Sequence, residues 1–391
     1  MARRFIAVVF IAFVSYSGFA QRVDESNVSV PNARDAALGG SHIALPSGFQ
    51  TMFSNPAGLI DVEPQFSFSE LTFRFTGPVF SLSSVIIQGV GGDFAALLAS
   101  PSVQSLLSSI YANLSLTGPL YFGYAGAGMG FAVLNDSEVL FRNVGTTGIE
   151  ARLSERFLLS AGYGLGIPLP ESWRSSLSLG FGLKGFVRGD VVVSTSLLGL
   201  PTLVESISLD LLTGSPFELI TGIGIDAGVS YWWRDTLGVA LTADNLYTPT
   251  AVLSYDTLGG FLDSSIDPGE PTYSSMAQDI TVGLAYTPHL GTFERYVQNL
   301  SLMLDYRDIF DFWIDPANAE NIILKFGLGV EATLLQVLSI RAGFSEGLFA
   351  AGLGIDMSFV ELSAAMYGTE LSMEPGLRPV YNLIFGLEFR R

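Results

Sequence analysis

The stretch ITGIGIDAGVSY, Ile220–Tyr231, decides the fold. Ile223, Ile225, Ala227, Val229 and Tyr231 fall on one parity, and Gly222, Gly224, Asp226, Gly228 and Ser230 on the other. That is the period-two signature of a strand with one apolar and one small or polar face. Past Trp233, Arg234 and Asp235, the stretch TLGVALTAD repeats the alternation, with Leu237, Val239, Leu241 and Ala243 opposite Gly238, Ala240, Thr242 and Asp244. The two runs read as a hairpin.

The same pattern recurs outward in both directions. Downstream it is carried by ITVGLAYT, LSLMLDYR, IILKFGLGVEA, LSIRAGFS, AAGLGIDMSF, VELSAAMY and the terminal aromatic YNLIFGLEFRR. Upstream it is carried by QFSFSELTFRF, LYFGYAGAGMGFAVL, VLFRNVGTTGIEAR, RFLLSAGYGLGI and LSLGFGLKGFVRGDVVV. The total is roughly 14 strands of about ten residues each, an even number within the bacterial outer-membrane barrel range. The phase slips between Phe68 and Leu71, which predicts a bulge or a misplaced strand in the first segment.

Composition points to a membrane. Hydrophobic residues make up 49% of the chain and charged residues only 14%, and the mean hydropathy is +0.43. No stretch after the N-terminus is apolar for long enough to form a transmembrane helix. A chain that is apolar without helical spans can alternate, one face to lipid and the other to a polar interior. The N-terminus MARRFIAVVFIAFVSYSGFA carries Arg3 and Arg4, an apolar run, and Gly18 and Ala20 at small-residue cleavage positions, so a signal peptide over residues 1–20 is expected. Cysteine is absent, which excludes disulfides, thiolate metal sites and a lipidated N-terminal cysteine. The net charge of −18 argues against nucleic acid or an anionic lipid surface as a partner.

Loop lengths give an independent check. With the first strand starting on the periplasmic side, the outer connections fall at 77–119, 195–219, 246–278, 308–321 and 369–380, while inner ones such as Asn135–Glu138, Trp233–Asp235 and the residues after Ala332 stay mostly short. Long outside and short inside is the asymmetry of outer-membrane barrels. Two outer loops carry apolar positions at helical spacing, Val103, Leu106, Leu107, Ile110 and Leu114 in one, Leu203, Val204, Ile207 and Leu211 in the other. They either cap the barrel mouth or offer a landing surface to an apolar substrate.

Catalytic constellations are poor, and the chain is not read as an enzyme. His42 and His289 lie apart without histidine or cysteine neighbours, which disfavours metal ligation. Gly343–Gly347 matches G-x-S-x-G but ends a strand with no helix following. No cofactor is expected. By phase, Lys184, Arg188, Arg307, Lys325 and Arg341 face inward, together with Asp190, Asp226, Asp244, Asp305, Glu331, Asp356 and Glu361. These charges either lace plug to wall, or Lys325, Arg341 or Arg307 receives the head group of an amphipathic ligand.

The segment NARDAALGGSHIALPSGFQTMFSNPAGLIDVEPQFSFSELTF, Asn32–Phe73, cannot join the barrel ladder where proline and glycine cluster. Its small-residue run Ala36–Gly40 and the sequence Asn55-Pro56-Ala57-Gly58-Leu59 just before the first strand resemble the N-terminal segment of the FadL/TodX family of outer-membrane transporters for hydrocarbons and long-chain fatty acids, which includes spirochaetal members of uncharacterised function. The resemblance implies an all-β transmembrane antiparallel barrel with an N-terminal hatch over residues 21–65 inside a barrel spanning 66–391, and it places Asn55, Pro56, Ala57 and Gly58 at the gate. It implies a bacterial outer-membrane location and passive uptake of hydrophobic small molecules, long-chain fatty acids foremost, with membrane lipid and the ligand as partners and a monomer as the working unit. The alternative is a non-transporting plugged barrel used as a docking or assembly platform. A general porin fits less well, since a hatch would close it and no charge ring is readable.

Overall fold

The structure, a computed structural model, describes residues 30–391 except 80, 82–83, 85–99, 102, 105–109, 145–147, 197–208, 264–268, 315 and 317–318. The expected signal peptide therefore lies outside the described residues. So do Leu106, Leu107, Leu203, Val204 and Ile207 of the two apolar stripes.

Sixteen strands form one antiparallel sheet: β1 (Gln65–Thr76), β2 (Tyr111–Gly126), β3 (Met129–Val144), β4 (Gly148–Ile167), β5 (Ser175–Ser196), β6 (Phe217–Trp233), β7 (Leu237–Tyr247), β8 (Pro249–Tyr255), β9 (Thr272–Ser275), β10 (Asp279–Tyr286), β11 (Val297–Tyr306), β12 (Phe326–Leu334), β13 (Leu338–Ser345), β14 (Leu348–Asp356), β15 (Val360–Glu370) and β16 (Pro379–Arg390). Fourteen of them close a ring, β7 pairing with β10 and β16 with β1. The short strands β8 and β9 extend the wall, because β8 takes over from β7 as the partner of the first third of β6. The handover is a bulge at Asp244–Leu246, with Asn245 at φ 53° and its backbone N–H donating to Asp226 Oδ1 at 2.8 Å. Closure satisfies the backbone without an edge. No described helix is long and apolar enough to cross a membrane.

Outward side chains are large and apolar. Phe157, Leu159 and Tyr163 on β4, Phe181, Leu183 and Val187 on β5, and Ile223, Tyr231 and Trp233 on β6 are all exposed. Their inward neighbours are small or charged, with Lys184, Asp190 and Asp226 buried. A continuous apolar band of this kind is stable in lipid, where Arg or Lys on the same face would cost about 2 to 4 kcal/mol at midplane.

The predicted strand number holds in the closed ring, but five of the expected boundaries move. LYFGYAGAGMGFAVL, expected as one strand, is the end of β2 and the start of β3, which turn at Ala127 and Gly128 with φ of 52° and 80°. VLFRNVGTTGIEAR likewise spans the end of β3 and the start of β4. Asn135–Glu138, expected as an inner turn, lies mid-strand in β3, where Asp136 faces the lumen and accepts from Thr117 at 2.9 Å and from Arg156 at 3.2 Å. A polar lumen lets strand interiors carry the residues that elsewhere mark turns. For the same reason the expected loop 77–119 ends early: Leu114 belongs to β2, pairs with Phe75 and Val139, and is exposed on the outer face. It is not part of a helical stripe, whereas Val103 and Ile110 before it are buried. Ile322–Lys325, expected at the head of a strand, forms a short helical turn capped by the Asn321 side chain. The phase slip in β1 is a bulge between Ser67 and Ser69.

Candidate functional site

Residues 30–64 fill the lumen as short turns, and local chemistry explains each. Asn32 caps the helical turn Ala33–Ala37, its Oδ1 accepting from the N–H groups of Arg34 and Asp35 at 2.6 and 3.2 Å. Asn55 caps the turn Pro56–Ile60 by accepting from the Ala57 N–H at 3.1 Å, with Pro56 at the first position, where its missing donor costs nothing. The other end of the Asn55 amide donates to the Ile43 carbonyl at 2.8 Å. One fully buried side chain thus ties two passes of the segment together.

The wall receives this segment on two opposite arcs. On one, Gly164 of β4, Gly180 of β5 and Gly228 of β6 stand directly across from one another in the ladder. Pro56 and Ala57 lie so close that a Cβ on Gly180 would sit 2.0 Å from the Ala57 nitrogen, and one on Gly228 would sit 2.1 Å from Asn55 Oδ1. On the other arc, Gly329 of β12, Gly343 of β13 and Ala350 of β14 form a second row of small residues, and Leu38 and Gly39 press on its two glycines. Apolar packing surrounds both arcs: Met52 and Leu59 meet Leu134 and Leu158, while Leu38 and Ile43 meet Ala240, Ala285 and Met303.

Polar clamps reinforce the seats. Arg34 donates to Glu331 of β12 through Nε, at 3.1 and 3.0 Å, and through Nη2 at 2.6 Å; Arg341 of β13 donates to the same carboxylate at 2.7 Å. Burial alone would lower the Arg34 pKa, but the charges of Glu331 and Asp35 outweigh it and hold that pKa above the ordinary value. Asp305 of β11 accepts from the N–H groups of His42 and Ile43 at 2.8 and 3.1 Å.

The segment divides the lumen. At the end carrying the long connections lies a pocket of about 240 Å3. Val30, Phe53, Leu348, Ala350, Tyr367 and Ile384 give it an apolar wall, and Arg74, Arg307, His42 and Glu346 a polar one. At the other end a vestibule of about 1520 Å3 opens among Trp232, His289, Glu331, Arg341 and Arg390.

Of the head-group candidates, only Arg307 reaches the outer pocket, where its Nη2 donates to Ser345 Oγ at 2.8 Å and contacts Glu346 at 3.4 Å. Lys325 is buried at the outer rim and donates to Asp311 and to the Asp308 carbonyl, at 2.5 and 3.1 Å. Arg341 faces the vestibule, already paired with Glu331. Arg74, Phe53 and Tyr367 were not singled out from the sequence. The bulge in β1 resets its phase, which was the one signal available for Arg74.

No protein-family profile matches the chain. Among solved structures, the barrel superposes on the CymD monoaromatic hydrocarbon channel with a TM-score of 0.50 at 12% identity, over 94% of this chain and 98% of that one. The fold is that of CymD. The toluene transporter TbuX of Ralstonia pickettii aligns over 93% of this chain and 99% of its own, with a TM-score of 0.49 and 12% identity. In sequence, an extracellular exo-inulinase of Meyerozyma guilliermondii is 28% identical over 134 residues, 30% of this chain and 26% of that relative. The chain therefore spans about a quarter of the curated relatives it matches. The CymD-like barrel meets the sequence expectation at the level of the fold.

Proposed function

We propose that this barrel is a bacterial outer-membrane channel for passive uptake of hydrophobic small molecules, acting as a monomer, with residues 30–64 as its hatch and Asn55, Pro56, Ala57 and Gly58 at the gate. The observation that carries the reading is the outer pocket: apolar on one wall, furnished with Arg74 and Arg307 on the other, and closed beneath by the lumen segment. A cavity of about 240 Å3 exceeds the roughly 150 Å3 that admits benzene and falls short of the roughly 300 Å3 where drug-sized sites begin. It suits one aromatic ring or a short acyl chain. A long-chain fatty acid, the class the resemblance implies, fits with its carboxylate at Arg307 and its tail running out through the mouth.

Calorimetric titration of the purified protein with toluene and with decanoate tests this. Saturable binding of either, lost in Ala350→Trp, which fills the pocket, supports the channel. Absence of saturable binding across apolar probes from toluene to oleate refutes it. That result would favour the docking platform, a role consistent with a lumen segment keyed to both arcs of the wall.

A further inference from the structure

The ladder register aligns a third row of residues, with no small side chain in it. Asp356 of β14 stands across from Glu361 of β15, Glu361 across from Glu388 of β16, and Glu388 across from Glu70 of β1. Four carboxylates therefore run side by side over four adjacent strands. Like charges directly opposite in a sheet are destabilising. Arg390 answers two of them, pairing with Asp356 and, at 2.7 Å, with Glu361. Glu70 and Glu388 are left facing each other.

Glu70 is only 5% exposed. Its Oε1 accepts from Thr72 at 2.6 Å, while Oε2 has no hydrogen-bond partner in the protein, and the same holds for Glu388 Oε1. Buried polar atoms of this kind are satisfied by water or an ion. Glu70 and Glu388 line a small cavity of about 50 Å3 between the wall and residues Asn32–Asp35 and Ser47–Gln50. That volume holds about three waters, counting roughly 15 Å3 each. The cavity shares Asn32, Asp35 and Gln50 with the outer pocket, and Arg34, Glu361 and Arg390 with the vestibule. The three spaces thus adjoin one another along a seam at β15, β16 and β1, with shared lining residues between them.

We propose that this seam is a hydrated passage for small monovalent cations, with the Glu70–Glu388 pair as its selective point. Arg34 and Arg390 are the two cations lining the small cavity, and both are committed to carboxylates. The small cavity at the middle is lined mainly by polar and charged groups, so a hydrocarbon would not use the seam. It is a second route through the barrel beside any taken by an apolar ligand.

The test uses the full mature protein in planar bilayers under a potassium chloride gradient. Small conductance steps with a reversal potential on the potassium side are expected, and Glu70→Gln with Glu388→Gln should shift that potential toward zero. A second measurement does not depend on removing the acids: the chain has no cysteine, and Ser363 lines the seam. Ser363→Cys should react with a cationic methanethiosulfonate about tenfold faster than with an anionic one, as expected for a cleft of one charge sign. Absence of conductance with insertion verified, a reversal potential unchanged by the glutamine pair, or equal reaction rates at Ser363→Cys would each overturn the proposal.

Discussion

Replacing Gly180 by alanine should unseat the lumen segment while sparing the barrel. The added Cβ would lie 2.0 Å from the Ala57 nitrogen and 2.2 Å from the Pro56 carbonyl carbon, where ordinary contact begins at 3.4 Å, so one side must yield by 3.4 − 2.0 = 1.4 Å. The wall is poorly placed to yield, because Gly180 is held in register by Gly164 on one side and Gly228 on the other. The obstructing atoms are backbone, with no rotamer to change. Overpacking of this kind costs about 1 to 3 kcal/mol. Gly182, two residues along the same face, is the control: its Cβ would sit 3.4 Å from the nearest atom, and Gly182→Ala should stay within about 0.5 kcal/mol of the parent. The assay pairs heat-modifiable gel mobility, which reports the intact barrel, with limited proteolysis of residues 30–64. Gly180→Ala should keep the folded mobility and expose the lumen segment to cleavage. Equal protection in the two variants would refute the close-approach argument.

Glu331→Gln leaves Arg34 and Arg341 buried against a neutral amide, and loss of a buried pair of this kind costs about 3 to 5 kcal/mol; urea unfolding in vesicles should show it, with Arg34→Met costing less because Arg341 still satisfies the carboxylate. Arg307→Met should weaken decanoate binding by about ten- to a hundredfold, from loss of a charge-assisted hydrogen bond of roughly 1.5 to 3 kcal/mol, and leave toluene unchanged; calorimetry separates the two. Asp308, in the outer loop after β11, has its pKa raised to about 6 by burial and by the nearby charge of Asp279. A carboxyl raised in the folded state stabilises when protonated, so its contribution is full below its ordinary pKa near 3.8 and is lost as pH rises through about 6. The thermal midpoint should fall between pH 4 and 7 in the parent and lose part of that slope in Asp308→Asn.

The period-two pattern carried the barrel, its strand number and the parity of its long loops, because inward and outward faces alternate whatever the register. Ile223, Ile225 and Tyr231 could be read as outward-facing from spacing alone, and they are exposed on the outer face of the barrel. Asn135–Glu138 could not be told from a turn, since a lumen tolerates the residues that turns prefer. The Asn55-Pro56-Ala57 turn was legible through its cluster of turn residues and its family resemblance, but its capping bonds and its glycine seat were not. Gly164, Gly180 and Gly228 are far apart in the chain and meet only through pairing, as do Glu70 and Glu388. Register is the quantity that alternation leaves open. Arg307 was reachable by phase, whereas Arg74 lay beyond the bulge that shifts it.

The two glycine seats also constrain the order of assembly. The arc that receives Asn55 is complete once β6 has formed, while the arc that receives Leu38 awaits β12, β13 and β14, far later in the chain. The N-terminal segment can therefore dock on the first half of the wall early, and the second half must then fold around it before β16 zips onto β1. Contacts so distant in sequence are slow to close. A segment seated against both arcs can in this way serve as the surface on which the far wall is gathered.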